Sequence, residues 1–223
     1  MTISEPQLIT LLELQEGMNS KVNPDWVAAN NNWHRAIQVE GVEAIEHHGW
    51  KWWKKQDCDL AQLRMELVDI WHFILSAYIQ AKFGSIPLAK MEMMAELNLR
   101  QKSVQFDNQY YVLSQLSLLD KLDLLVGLAA GKRVNLALFE SLLHDCDMEW
   151  NDLFKQYVGK NVLNMFRQDH GYKVGTYIKV WDGREDNEHL VEVLEVVDLE
   201  SPDVRDELYS SLKARYLIVQ EGK

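Results

Sequence analysis

A chain of 223 residues with 47% hydrophobic content holds enough apolar material for a buried core, as one large domain or two small ones. Its 34 acidic residues against 23 basic ones give a formal charge of −11, which works against non-specific binding to nucleic acid or to an anionic membrane. A polyanionic substrate would therefore need a bound cation or a confined cluster of Lys and Arg. Cys58 and Cys146 are too few for a disulfide framework and lack C-x-x-C spacing. There is no apolar leader after Met1 and no apolar run of the roughly eighteen residues a membrane span needs. The expected setting is a reducing cytoplasm, with no nucleic-acid or membrane partner.

In chain order the pattern is mostly helical, and the predicted fold class is an all-α helical bundle, with residues 1–223 as a single domain. Ser4-Glu5-Pro6 opens a first helix whose Leu8, Leu11, Leu12 and Gln15 share a face. Asn23-Pro24-Asp25 opens a second segment reaching His48 and ending at Gly49. A basic-aromatic connector, Trp50-Lys51-Trp52-Trp53-Lys54-Lys55, precedes Asp57 and Asp59, which offer caps for a long helix to about Lys82. Gly84 and Pro87 break the chain. Three further helical patterns follow, Pro87 to about Ser103, Tyr111 to about Ala130 and Leu136 to about Val158, separated by Phe106-Asp107-Asn108 and by Gly131. Gly159 is expected to start another short helix. Beyond Gly171 the text reads as loop, with a last helix near Pro202 to Leu217 and with Leu190 to Val197 open between helix and strand.

Glu40 and Glu43 are three apart on the second segment, and Glu66 and Asp69 are three apart on the third, so each pair shares a helical face. The short connector makes the two helices antiparallel neighbours, and apolar residues such as Ile37, Val42, Leu67 and Ile70 surround the acids. Either pair alone is an ordinary solvated face. Both together are not: carboxylates brought to about 5 Å repel by roughly 3 kcal/mol per pair at an effective dielectric near 20. Either protons or a hard divalent cation must compensate, and oxygen-only ligands point to Mg²⁺, with Mn²⁺ as a substitute, rather than zinc. A di-iron site would want Glu-x-x-His twice, and no Glu here has His three residues later.

At these residues the sequence resembles the dimeric all-α dUTPases, within the wider all-α nucleoside triphosphate pyrophosphatases. The resemblance covers Leu14-Gln15-Glu16-Gly17-Met18-Asn19, Arg35-Ala36-Ile37, the Trp50–Lys55 connector and Glu66-Leu67-Val68-Asp69-Ile70-Trp71-His72-Phe73. It resumes with Tyr157 to Asn164, Phe166 to Lys173 and Gly183-Arg184-Glu185-Asp186-Asn187. It implies a dUTP diphosphatase that uses a metal held by Glu40, Glu43, Glu66 and Asp69 and that yields dUMP and diphosphate. It also implies dUDP as a second substrate and a homodimer whose helical parts close on the nucleotide.

Lys160, Asn164 and Arg167 stand at i, i+4 and i+7, so that their ammonium, amide and guanidinium groups can point at one phosphate, the guanidinium as a bidentate fork. Tyr172 and Lys173 lie in the next glycine-bounded turn. Gln15 and Asn19, at i and i+4, offer amides to the edge of uracil, but an unconstrained amide accepts cytosine equally well, so selectivity requires a fixed partner network. His72 and Phe73 follow Asp69 closely enough to touch a deoxyribose and exclude a 2′-hydroxyl. Trp53 is assigned to the nucleoside pocket, Trp50 and Trp52 to packing, and His47 and His48 to the helix C-terminus. Glu43 is the expected general base. Two other readings stand beside this one: a dCTP or modified-nucleotide pyrophosphatase on the same scaffold, and a helical assembly module whose carboxylates are surface.

Overall fold

The computed structural model of the protein describes residues 3–197 and 204–221. Its first helix, α1 (Glu5–Val22), begins at a capping box in which Ser4 accepts from the Gln7 amide and the Gln7 side chain returns to the Ser4 backbone. The segment expected to run unbroken to His48 is two helices, α2 (Trp26–Ala29) and α3 (Trp33–His48). Asn30 adopts a left-handed φ of 51°, and Asn32 then caps the Arg35 amide. The long helix is α4 (Leu60–Ala81), capped by Asp59 as anticipated, and α5 (Ile86–Asn98) follows, capped by Ser85.

Two expected helices are shorter than their patterns implied. Between α5 and α6 (Leu118–Ala130) lies a hairpin of β1 (Ser103–Phe106) and β2 (Gln109–Val112), with Phe106 opposite Gln109. Its two-residue turn is Asp107-Asn108, both at positive φ, the conformation whose twist suits a hairpin. The next boundary also differs from expectation. The chain breaks at Asp147 (φ 51°), between α7 (Leu136–Asp145) and α8 (Trp150–Asp169), and runs through Gly159 without interruption. Gly159 is there for close approach: a Cβ on it would stand 2.7 Å from Leu194 Cδ2. Beyond a tight turn at Tyr172–Val174, the stretch expected as loop contains a second hairpin, β3 (Val180–Trp181) with β4 (Arg184–Glu185), and a helix, α9 (Asp186–Val196). That helix resolves the ambiguity at Leu190–Val197. The last helix is α10 (Val204–Glu221); its expected start near Pro202 lies outside the described residues.

The architecture is all-α, the two hairpins being the only sheets among the described residues. α4 is the central element, with Leu67, Ile70, Trp71, Ile74 and Ile79 all inaccessible to solvent. α3 and α4 pack antiparallel, Trp33 Nε1 donating to Gln80 Oε1 (2.9 Å) at one end and His47 facing Glu66 at the other. Gly41 lets α3 approach α6, since a Cβ there would lie 2.8 Å from Val126 Cγ2. A second apolar cluster, around Phe166, Trp181, Leu190, Leu212 and Tyr216, ties the C-terminal half of α8 to α9, α10 and the β3–β4 hairpin. No described helix is long and apolar enough to cross a membrane.

Candidate active site

Helical spacing and the antiparallel register of α3 and α4 bring carboxylate oxygens of Glu40, Glu43 and Glu66 within 4.8 Å of one another. Asp69 lines the same cavity, but its Oδ2 lies 2.8 Å from Lys160 Nζ, so a lysine holds the fourth expected ligand. The crowding has the consequence anticipated from Coulomb's law. Burial, and after it the charges of Asp69, Glu66 and Glu43, push the Glu40 carboxyl up to about 8. Burial and Asp69 push Glu66 up to about 7 against the opposing pull of Lys160. An all-oxygen donor set that retains protons at neutral pH fits a hard divalent cation, which would displace them.

The cavity, about 610 Å³, is closed on its far side by α8 and the start of α9. Lys160 is 2% exposed, and its Nζ donates to Asn187 Oδ1 (3.0 Å) as well as pairing with Asp69. Arg167 is also buried, which excludes a solvated basic stripe. Its fork is not open to a phosphate as expected. Nε and Nη2 each donate to one oxygen of Asp186 at 2.8 Å, Nη2 reaches Asn187 Oδ1 at 3.2 Å, and Nη1 donates to Asn164 Oδ1 at 3.0 Å. The fully buried Asp186 requires a paired cation, and Arg167 supplies it. Tyr177 Oη donates to the same carboxylate at 2.8 Å.

A second cavity of about 210 Å³ adjoins the first and shares Asp69 with it. Gln15, Asn19, His72 and Phe73, which the sequence assigned to a nucleoside, line it together with Asn164, which it assigned to a phosphate, and with Met18, Trp26 and Trp33. Phe73 is held by a stacked contact with Trp33, centroids 6.2 Å apart. Burial lowers the His72 pKa to about 3, so its ring is neutral.

Other assignments moved. Tyr172 lines the carboxylate cavity, while Lys173 turns away and its Nζ donates to the Val22 carbonyl (2.7 Å) at the C-terminus of α1. Trp53 lines neither cavity. It is 60% exposed and packs edge-on against Trp50 and Trp52, the latter 87% exposed, so these indoles cover one another rather than joining the core. His47 does more than complement a helix dipole: its Nε2 lies 3.3 Å from Glu66 Oε1. Sequence reasoning missed Gln62, Lys179, Glu185, Asn187 and Glu188 on the larger cavity. The signal for Glu185 and Asn187 was the Gly183–Asn187 motif, to which no role was given.

The carboxylate cluster predicts a stability that depends on pH and on a divalent cation. A folded pKa raised from 4.5 to about 8 or 7 means stability that is complete below the unfolded value and lost as pH rises through the folded one. His72 works oppositely but only below its ordinary 6.5. In EDTA, the melting temperature is therefore expected to fall between pH 6.5 and 8, and millimolar Mg²⁺ to restore it most strongly at pH 8. Differential scanning calorimetry giving a flat profile, indifferent to Mg²⁺, would contradict the cluster.

The family model described as dUTPase matches residues 7–172, well over half of the chain, including both carboxylate pairs and the Lys160–Arg167 face. No curated protein matches the chain. With the carboxylate cluster, the buried cations and the adjoining amide-lined pocket in place, the chain belongs to the dUTPase family of metal-dependent hydrolases acting on the phosphoric anhydride of dUTP.

Proposed function

We propose that the protein is a Mg²⁺-dependent dUTP diphosphatase, with Mn²⁺ as a substitute ion, that converts dUTP to dUMP and diphosphate and also accepts dUDP. The observation that carries this reading is the single wall between the two cavities: Asp69 faces both, so a base seated in one places its phosphates in the other. Glu40, Glu43, Glu66 and Asp69 would hold the ion, which would supply charge neutralisation at the phosphoryl oxygens and acidify a water.

The chain's own groups do the rest. Glu43, the most exposed of the three clustered carboxylates, takes a proton from the attacking water. Lys160, paired with Asp69 at 2.8 Å, is a point charge beside the phosphates, and Arg167 contributes charge and its remaining Nη1 proton rather than a fork. Asn164 joins the two cavities by lining one and bonding Arg167 at the edge of the other. Asn19 and Gln15 read the base, and His72 and Phe73 bound the deoxyribose. Tyr172, with Lys173 anchored on Val22, straps the end of α8 to α1 beside the nucleotide. The resemblance to the dimeric enzymes supports a cytoplasmic homodimer, one catalytic domain per chain.

The testing assay incubates the protein with dUTP and Mg²⁺, with dCTP, dTTP, UTP and EDTA controls, and follows monophosphate and diphosphate. Rapid dUMP release, abolished by EDTA, is the expected result. A faster reaction with dCTP would keep the chemistry and move the substrate, and slow turnover of UTP would register exclusion of the 2′-hydroxyl.

A further inference from the structure

The amides in the smaller cavity belong to a hydrogen-bond chain whose direction can be read from one end. Ser76, fully buried on α4, donates its hydroxyl proton to the His72 carbonyl at 2.9 Å, a backbone group that can only accept. Its oxygen is therefore an acceptor, and the group facing it at 2.9 Å is Asn19 Nδ2. Asn19 Oδ1 must then face Gln15, whose Nε2 donates to it at 2.9 Å. Gln15 Oε1 is left to accept from His72 Nδ1 at 2.7 Å and from Tyr157 Oη at 2.7 Å. His72 consequently carries its proton on Nδ1, and its buried Nε2, without a partner among the described residues, is a bare acceptor.

The same residues have a second arrangement, which with Ser76 in place would turn its hydroxyl from the His72 carbonyl to Asn19 Oδ1 and forfeit that 2.9 Å bond, and which without Ser76 carries no such cost. Both amides can flip, His72 can shift its proton to Nε2, and Tyr157 can direct its hydroxyl to the Leu11 carbonyl at 3.3 Å. Uracil presents a donor beside an acceptor at N3 and O4, while cytosine presents the reverse order at N3 and N4. An amide of one fixed orientation complements one of these edges, and an amide free to flip complements both.

We propose that Ser76 is a positioning residue that sets base selectivity by pinning the Asn19–Gln15–His72 chain in one hydrogen-bond direction. This rests on the reading that Asn19 and Gln15 face the base. It assigns selectivity to a side chain that lines neither cavity.

The test compares kcat/KM for dUTP and dCTP in wild type, Ser76→Ala, Ser76→Thr and Asn19→Ala, with the tautomer of His72 read from its ring ¹⁵N shifts. In Ser76→Ala the dUTP-to-dCTP ratio is expected to fall by about tenfold or more, mainly through KM, with His72 becoming a mixture of tautomers. Ser76→Thr, which restores the hydroxyl, is expected to recover both. Calorimetry with dUMP and dCMP gives the same ratio for binding alone. An unchanged ratio in Ser76→Ala, beside a collapsed ratio in Asn19→Ala, would overturn the role of Ser76 and leave the base-reading role of Asn19 standing. An unchanged ratio in Asn19→Ala would overturn both. A lowered melting temperature with an intact ratio and an intact Nδ1–H tautomer would reduce Ser76 to packing.

Discussion

Glu43→Gln is expected to lower kcat for dUTP by about 10²–10⁴-fold, the usual contribution of a positioned general base, while leaving the protein folded. Glutamine keeps the size and one oxygen of the side chain but cannot take a proton from water. It also removes one like charge from a cluster whose oxygens lie within 4.8 Å, so the metal-free variant should melt no lower than wild type. Glu43 doubles as a proposed metal ligand, and a magnesium titration separates the roles. Activity that returns to wild-type level at high Mg²⁺ assigns Glu43 to metal binding alone. Loss that persists at saturating Mg²⁺ assigns it to proton transfer. Full turnover at ordinary Mg²⁺ would remove it from the mechanism.

Asp186→Ala is expected to destabilise the protein by about 3–5 kcal/mol, the cost of leaving one member of a buried ion pair alone. Asp186 is wholly inaccessible to solvent and binds Arg167 through two 2.8 Å contacts. It begins α9 and fastens that helix to α8, where Tyr177 and Asn187 depend on the same arrangement. Chemical denaturation of wild type, Asp186→Ala, Arg167→Met and the double variant Arg167→Met/Asp186→Leu gives the check. The apolar double variant should recover most of the stability, since neither charge is then stranded, yet remain poorly active because the cation beside the phosphates is gone. Equal losses that simply add in the double variant would show the two side chains to be independent.

Much of this is legible in the sequence. The i, i+3 carboxylates on two apolar helices with a short connector forced convergence, and Ser4, Asp59 and Pro6 marked helix starts through chemistry that acts within one turn. The shared cavity of Gln15, Asn19, His72 and Phe73 followed from spacing along two helices together with the family resemblance. Boundaries set by distant partners were not legible. Gly159 reads as a breaker until Leu194 is found against it, and Asp107-Asn108 reads as a helix gap until two strands pair across it. Local chemistry likewise placed Arg167 near phosphate but could not show that a carboxylate nineteen positions on closes its fork, nor that Lys160 neutralises Asp69. What the sequence determined by itself is what one or two helical turns encode: caps, faces and the shared sign of four carboxylates. Which charges pair, which amides are pinned and which cavities adjoin was decided by the tertiary structure, because burial removes water as the alternative partner and leaves each polar atom only the neighbours that packing supplies.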